Sequence, residues 1–146
     1  MYIHPTKPYF VNKEQLLHEL RHETYVTIKP SPLHGNGVFA IRSIPKGCRT
    51  MFSTGAGEFI KVKRSEVDEL PAHSRYLVET YCLFDDDFYW IPEYGFKVMD
   101  VSLYLNHSDT PNVISINDGE FFEAVRDIET GEELLIDYGT IVESEE

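Results

Sequence analysis

The stretch LYLNHSDTPNV, residues 103–113, decides how the rest of the chain is read. It sets Asn106-His107-Ser108 at the end of an apolar segment, then turns at Pro111-Asn112 into a run, NVISI, of strand composition. Asn, Ser and Pro are turn-forming residues, so a polar turn with local hydrogen bonds accounts for the stretch in isolation. On its own it leaves turn and binding site open.

Two more stretches bear on it. HGNGVFAIRSIPKG, residues 34–47, holds Gly35-x-Gly37 before an apolar strand. Glycines there let the backbone take positive φ and approach a ligand closely, although a lone G-x-G is commonly just a turn. GEELLIDYG, residues 131–139, reads as a turn and an alternating strand ending in Asp137-Tyr138-Gly139. A tyrosine at a strand end is ordinarily half-buried packing with its hydroxyl on water.

Their order is what distinguishes them. A G-x-G loop, then NHSxxPN, then GEEL-x-x-DYG resembles the SET-domain family of protein-lysine methyltransferases. The connecting phrases GVFAIRSIPKG and AVRDIETGEEL agree as well, and the resemblance covers Val26 to Gly139. It implies a mainly β fold with short helices, the β-clip-like SET domain. There the C-terminal segment threads under a preceding loop as a pseudoknot, gathering 34–39, 104–112 and 136–139. It further implies S-adenosylmethionine as cofactor, with the loop His34, Gly35, Asn36 and Gly37 against its methionine part. Asn106 and His107 would hold the cofactor through backbone groups and the asparagine amide. Tyr138 would be the catalytic residue where methyl donor and lysine amine meet.

Methyl transfer from a sulfonium to an amine is an in-line displacement that needs a neutral amine, alignment and exclusion of water, and no metal. A lysine pKa of about 10.4 makes the neutral amine cost about 4–5 kcal/mol at pH 7 in water. An aromatic channel and a nearby positive sulfonium both lower that cost. Tyr76, Tyr81, Phe84, Phe88, Tyr89 and Trp90 precede the Asn-His-Ser motif and supply candidates. Of these, Tyr76, Tyr81 and Phe84, with Ile136, are the expected channel residues.

Some positions depart from the family pattern. Asp109 stands where many members have a cysteine of a zinc site, and no cysteine follows Gly139, so neither such a site nor the segment that usually closes the channel is expected. Closure is then expected from the N-terminal helix, a second subunit of a homodimer, or the substrate. Leu103 stands where arginine is common. Ile136 stands two before the tyrosine, where a phenylalanine or tyrosine often limits the methyls added, so higher methylation states are expected to be accessible.

Composition narrows the partners. The 146 residues suit one domain, divided as a helical extension over 1–24, a SET domain over 25–140 and an acidic tail over 141–146. Twenty-five acidic against thirteen basic residues, a net charge of −12, argue against direct binding of nucleic acid and favour a basic, histone-like protein substrate. No apolar run approaches the roughly 18 residues of a membrane span, and the polar N-terminus lacks signal-peptide character. The chain is therefore expected to be intracellular, cytoplasmic or nuclear, with Cys48 and Cys82 as buried thiols. The alternative function is a non-catalytic SET module that binds a peptide or S-adenosylmethionine without turnover.

Local signals mark the elements. Asn12 and Gln15 form a capping box, with Val11 and Leu16 at the staple positions, for a helix over 13–23. Strands are expected in TYVTIKP, GVFAIRSI, CRTMFS, EFIKVK, NVISI, EFFEAV and ELLIDY, and a helix over 65–70 capped by Ser65 with Asp68. The first helix also spells HELRH, residues 18–22, the pattern of a zinc peptidase. On a helical wheel Leu16, Leu17 and Leu20 share an arc of about 100°, while His18 and His22 lie roughly 150° or more from its centre. The leucines are expected to dock on the β body and the histidines to be incidental surface residues.

Overall fold

The structure, a computed structural model, describes residues 12–52, 59–117 and 121–143. Helix α1 (Lys13–His22) starts where the capping box places it. The Asn12 side chain accepts from Gln15 N at 2.9 Å, and the Gln15 side chain accepts from Asn12 N at 3.1 Å. Val11 of the expected staple lies outside the described residues. The leucine stripe does not dock: Leu16 is 46% and Leu20 56% exposed, and no residue of α1 is buried. The helix is held at its C-terminal end instead, where Arg42 Nη1 donates to the His22 carbonyl at 3.1 Å and its guanidinium lies over the Tyr25 ring. The periodicity is a sound helix signal and a poor guide to what covers the helix.

The chain next forms strand β1 (Val26–Pro30) and strand β2 (Asn36–Ala40), an antiparallel hairpin with Val26 opposite Ala40 and Pro30 opposite Asn36. Helix α1 therefore enters at the end of this hairpin away from the 31–35 turn. Strand β3 (Phe59–Lys63), helix α2 (Arg64–Asp68), helix α3 (Ala72–Tyr81), strand β4 (Leu83–Phe84) and strand β5 (Phe88–Pro92) follow. After them come a short 3-10 helix (Val101–Tyr104), β6 (Asn106–His107), β7 (Val113–Ile116), β8 (Phe121–Ala124), β9 (Glu133–Ile136) and α4 (Tyr138–Glu143). The strands make three small sheets, ordered β1-β2-β9-β6, β3-β5-β4 and β7-β8. This is the mainly β architecture with short helices that the resemblance implies.

Three local expectations change. CRTMFS is not a strand in its described part, because the segment meets β8 at a single point: Gly47 N donates to the Ala124 carbonyl and Ala124 N to the Cys48 carbonyl, with no ladder beyond. Helix α2 begins one residue earlier than Ser65, which is too late to cap it; the Glu66 carboxylate accepts from Lys63 N instead. The chain after Ile136 does not run out as a strand end, since Tyr138 opens α4, which reaches Glu143.

Two apolar clusters hold the sheets. Val38, Ala40, Ile44, Met51, Leu105, Val113, Ala124, Ile128, Leu134 and Ile136 form the larger. Each full burial of a Val, Leu or Ile contributes about 1.5–3 kcal/mol. Val67, Val78, Cys82 and Tyr89 form the smaller one under the β3-β5-β4 sheet. Cys82 and the partly buried Cys48 belong to different clusters, and both are free thiols. Burial pushes the Cys82 thiol up to about 12, so it stays protonated and behaves as a small apolar side chain.

Strand β9 is the piece that ties the fold. It pairs antiparallel with β2 on one side and parallel with β6 on the other. The loop after β6 then clasps it: Ser108 N donates to the Ile136 carbonyl and Asn112 N to the Leu135 carbonyl. The Asn112 side chain, 3% exposed with its residue, adds a donor to the Glu133 carbonyl at 2.9 Å and an acceptor for Leu135 N at 2.8 Å. A C-terminal strand gripped by an earlier loop is the pseudoknot expected from the three motifs.

Candidate functional site

The register of β2 and β9 sets Val38 opposite Leu134 and Phe39 opposite Glu133. Alternation puts Gly37 and Phe39 on the same face as Glu133, with Gly37 on the diagonal. A Cβ on Gly37 would lie 2.2 Å from Glu133 Oε2, so only glycine admits the carboxylate there. Gly35 serves a different purpose. At φ 47° it closes the turn in which Ser31 N donates to the Gly35 carbonyl at 2.7 Å. One glycine permits a close approach and the other a left-handed turn.

Asn106 opens β6 and is 7% exposed. Its Nδ2 donates to the His34 carbonyl at 3.0 Å, the Asn36 carbonyl at 3.4 Å and Glu133 Oε2 at 2.8 Å. Ser31 Oγ donates to the other carboxylate oxygen, Glu133 Oε1, at 2.9 Å, and accepts from Leu33 N at 3.0 Å. The 31–37 loop, the start of β6 and the start of β9 are thus joined through one amide and one carboxylate.

Tyr138 stands at the other end of β9. Its hydroxyl donates to the Leu105 carbonyl, and its backbone N–H donates to His107 Nδ1 at 3.1 Å. With Nδ1 accepting, Nε2 carries the imidazole proton and donates to Asp109 Oδ1 at 3.1 Å. The His107 and Tyr138 rings lie 5.3 Å apart, centroid to centroid. Burial first, and then the negative charge of Glu133, raise the Tyr138 pKa above the usual phenol value, so its hydroxyl remains a neutral donor at physiological pH.

Of the expected cofactor residues, the structure brings His34, Gly35, Asn36, Gly37, Asn106, His107 and Tyr138 into one connected neighbourhood. His34 and Asn36 enter it through their carbonyls. The expected channel residues are spread more widely. Tyr81 of α3 packs edge-on against Tyr104 at 5.4 Å and also against Phe96. Burial, followed by Tyr104 and Tyr76, raises the Tyr81 pKa, so the three phenols are near neighbours. Tyr76 itself is largely exposed, and so is Phe84, whose strand β4 contacts α4. Ile136 is 1% exposed and belongs to the main core rather than to an open surface. Helix α1 enters at the end of the β1-β2 hairpin away from the 34–37 loop.

Two residues of this neighbourhood are not singled out by the sequence reading. Tyr104 precedes the Leu105 carbonyl that receives the Tyr138 hydroxyl, and its position inside the motif stretch is a usable signal. Glu133 reads as one more charge of an acidic chain, because its partners Ser31 and Asn106 lie 102 and 27 residues away.

The donor set fits a cationic ligand. The carbonyls of His34, Asn36 and Leu105 and the Glu133 carboxylate give the neighbourhood a negative character. The ion pairs of the described residues, among them Arg49–Glu123 and Arg126–Glu132, include none to Glu133. Lys29, on the same face as Gly37, holds its ammonium 5.0 Å from the centroid of the Phe39 ring. A molecule such as S-adenosylmethionine, with a sulfonium and an ammonium on one short segment, matches that character. No group of three or more His, Cys, Asp and Glu residues that could hold a metal ion occurs among the described residues. His18 and His22 of HELRH face each other across the exposed α1, with ring centroids 4.8 Å apart. Among the described residues no helix is long and apolar enough to cross a membrane.

The chain is similar to known proteins. A family model described as "SET domain" matches residues 35–139, more than half of the chain. No curated protein matches the chain closely enough to count as a relative. Among solved structures, a crystal structure from Plasmodium falciparum described as a "putative histone methyltransferase" is similar at 24% identity, covering 80% of this chain and 94% of that one, with a TM-score of 0.47.

Proposed function

The chain belongs to the SET-domain family, and from that premise we propose that it is an S-adenosylmethionine-dependent protein-lysine N-methyltransferase acting on a basic protein. One observation carries the proposal: the Asn106 amide reaches the carbonyls of the 34–37 loop while its neighbour Leu105 receives the Tyr138 hydroxyl. Three motifs that lie far apart in sequence meet at two adjacent residues.

Each group then has a role suited to its chemistry. His34 and Asn36 present carbonyls, and Asn106 an amide, to the methionine end of the cofactor, while Gly37 makes room for the Glu133 carboxylate that accepts from Asn106. The cofactor supplies an electrophilic methyl on a sulfonium. Tyr138 orients the attacking amine through its hydroxyl oxygen, while the proton of that hydroxyl is engaged by the Leu105 carbonyl. A neutral phenol is no base, so the lysine must lose its proton to water before it enters. Tyr81 and Tyr104, with Tyr76 beside them, offer an aromatic wall that disfavours the charged ammonium and so eases that loss. The net charge of −12 draws a basic substrate and accelerates encounter at low salt.

The test is incubation with S-adenosylmethionine labelled in its methyl group and a panel of basic proteins, histones included. Label is expected on lysine side chains, with initial rates that fall as salt is raised. Binding of the cofactor with no transfer to any basic protein would instead identify a non-catalytic module.

A further inference from the structure

We propose that the His107 imidazole is a positioning residue for Tyr138, aiming the tyrosine by accepting from its backbone N–H at a bare Nδ1. This rests on the function proposed above and deepens it, since the ring of His107 has no task in the expected cofactor contacts, which run through backbone groups.

Tyr138 is held at both ends by the two residues that flank Asn106. Its hydroxyl donates to the Leu105 carbonyl, and its backbone N–H donates to His107 Nδ1 at 3.1 Å. The N–H groups in the first turn of a helix have no partner within the helix. In α4 the Asp137 carboxylate accepts from Gly139 N at 3.0 Å, and the Tyr138 N–H goes to the imidazole. The ring is itself anchored. Its Nε2 donates to Asp109 Oδ1 at 3.1 Å, and β6 pairs residue 107 with Ile136, two before the tyrosine. Asp109 is almost fully exposed, so this bond orients the ring and adds little to the stability of the fold. Asp137 Oδ1 lies 3.8 Å from Nδ1, too far for a hydrogen bond, which leaves that lone pair to the Tyr138 N–H.

Water could replace the imidazole as an acceptor, because the His107 side chain is half-exposed. Stability then changes little. Direction is another matter. A neutral imidazole offers one lone pair in the plane of its ring, and that ring is carried by a strand paired to β9. The two aromatic rings lie 5.3 Å apart, so the imidazole also stands beside the phenol it aims. A turn of the backbone at residue 138 would swing the hydroxyl off the Leu105 carbonyl and away from the line on which amine and sulfonium meet. His107 exchanges no proton in the transfer and acts through Tyr138 alone.

The experiment separates the two ring nitrogens with a partial mimic of each. In His107→Asn the amide oxygen takes the place of Nδ1 and can still accept from the Tyr138 N–H. In His107→Gln the amide lies at the depth of Nε2 and can reach Asp109 only. Label transfer from S-adenosylmethionine to a basic protein is measured for both, beside thermal unfolding. His107→Gln is expected to lower kcat more than about tenfold, since a misplacement of about 1 Å can cost about a hundredfold. Its KM for the donor should hold, the mark of an interaction expressed only in the transition state. His107→Asn is expected to recover most of that loss. Glutamine is closer than asparagine to histidine in length, so a kcat for His107→Gln equal to or above that of His107→Asn would show that the ring serves only as bulk and overturn the proposal. NMR of the wild type labelled in its histidine ring nitrogens gives a test that does not depend on the folding of a variant. At the pH of the assay residue 107 is expected to show a bare Nδ1 and a protonated Nε2, and a proton on Nδ1 would overturn the proposal. Absence of transfer by the wild type to any basic protein would overturn the function itself, and this role with it.

Discussion

Replacing Tyr138 by phenylalanine is expected to lower methyl transfer at least about a hundredfold, the scale seen when one preorganised donor or one element of alignment is lost. The ring and its contact with His107 remain, and the backbone N–H of residue 138 still has His107 Nδ1 to donate to. Only the hydroxyl and its bond to the Leu105 carbonyl disappear, a stability change of about 1 kcal/mol. Activity should thus collapse in a folded protein, measured by label transfer beside urea unfolding. A variant that keeps more than a tenth of the wild-type rate would remove Tyr138 from the mechanism. The pH profile gives a second handle. The Tyr138 pKa lies above its ordinary value because burial, and then Glu133, disfavour the phenolate. A raised value means the hydroxyl persists to more alkaline pH, so it imposes no fall in rate below about pH 10. The rate should climb from pH 7 to 9 as more of the substrate lysine becomes neutral. A decline across that range, in protein that remains folded, would mean that another group titrates in the mechanism.

The largest loss of stability is expected from Asn112→Ala. The side chain is buried and serves the backbone of β9 twice, donating to the Glu133 carbonyl and accepting from Leu135 N–H. Alanine leaves both backbone groups without those partners, at about 1–3 kcal/mol each, so about 3 kcal/mol in total is a fair expectation. Against a total stability of roughly 5–15 kcal/mol this is a large share. Urea unfolding should show a lower midpoint at an unchanged slope. Because β9 also carries Glu133 and leads directly into Tyr138, loosening the clasp should weaken cofactor binding as well. A change below about 1 kcal/mol would mean that water substitutes for the asparagine and that the loop is not what holds the strand.

Features that depend on neighbours in sequence were legible, and those that depend on neighbours in space were legible only through the motifs. The α1 capping box needs nothing beyond Asn12 and Gln15, and it forms as the spelling implies. Most of the strands announce themselves by β-branched and aromatic composition between turns, and β9 alternates in burial as well. The meeting of Gly37, Asn106 and Tyr138 has no local signature; it becomes visible because three motifs stand in a recognisable order. Glu133 is hidden for the same reason. Its meaning comes from a glycine across a ladder and an asparagine on a third strand, whereas its spelling is that of any surface acid. The α1 leucines mislead in the opposite direction: an apolar stripe tells that a helix has a face, without telling what lies against it. CRTMFS has strand composition, but the partner β8 is already engaged by β7 and offers the segment a single point of contact. Composition proposes a strand and pairing decides.

The most direct measurement of the central claim is a crystal structure of the chain with S-adenosylhomocysteine bound. The methionine part of the ligand is expected against the carbonyls of the 34–37 loop and Asn106, with its sulfur turned toward the Tyr138 hydroxyl. A ligand seated elsewhere on the molecule, or one whose sulfur lies away from Tyr138, would contradict the account.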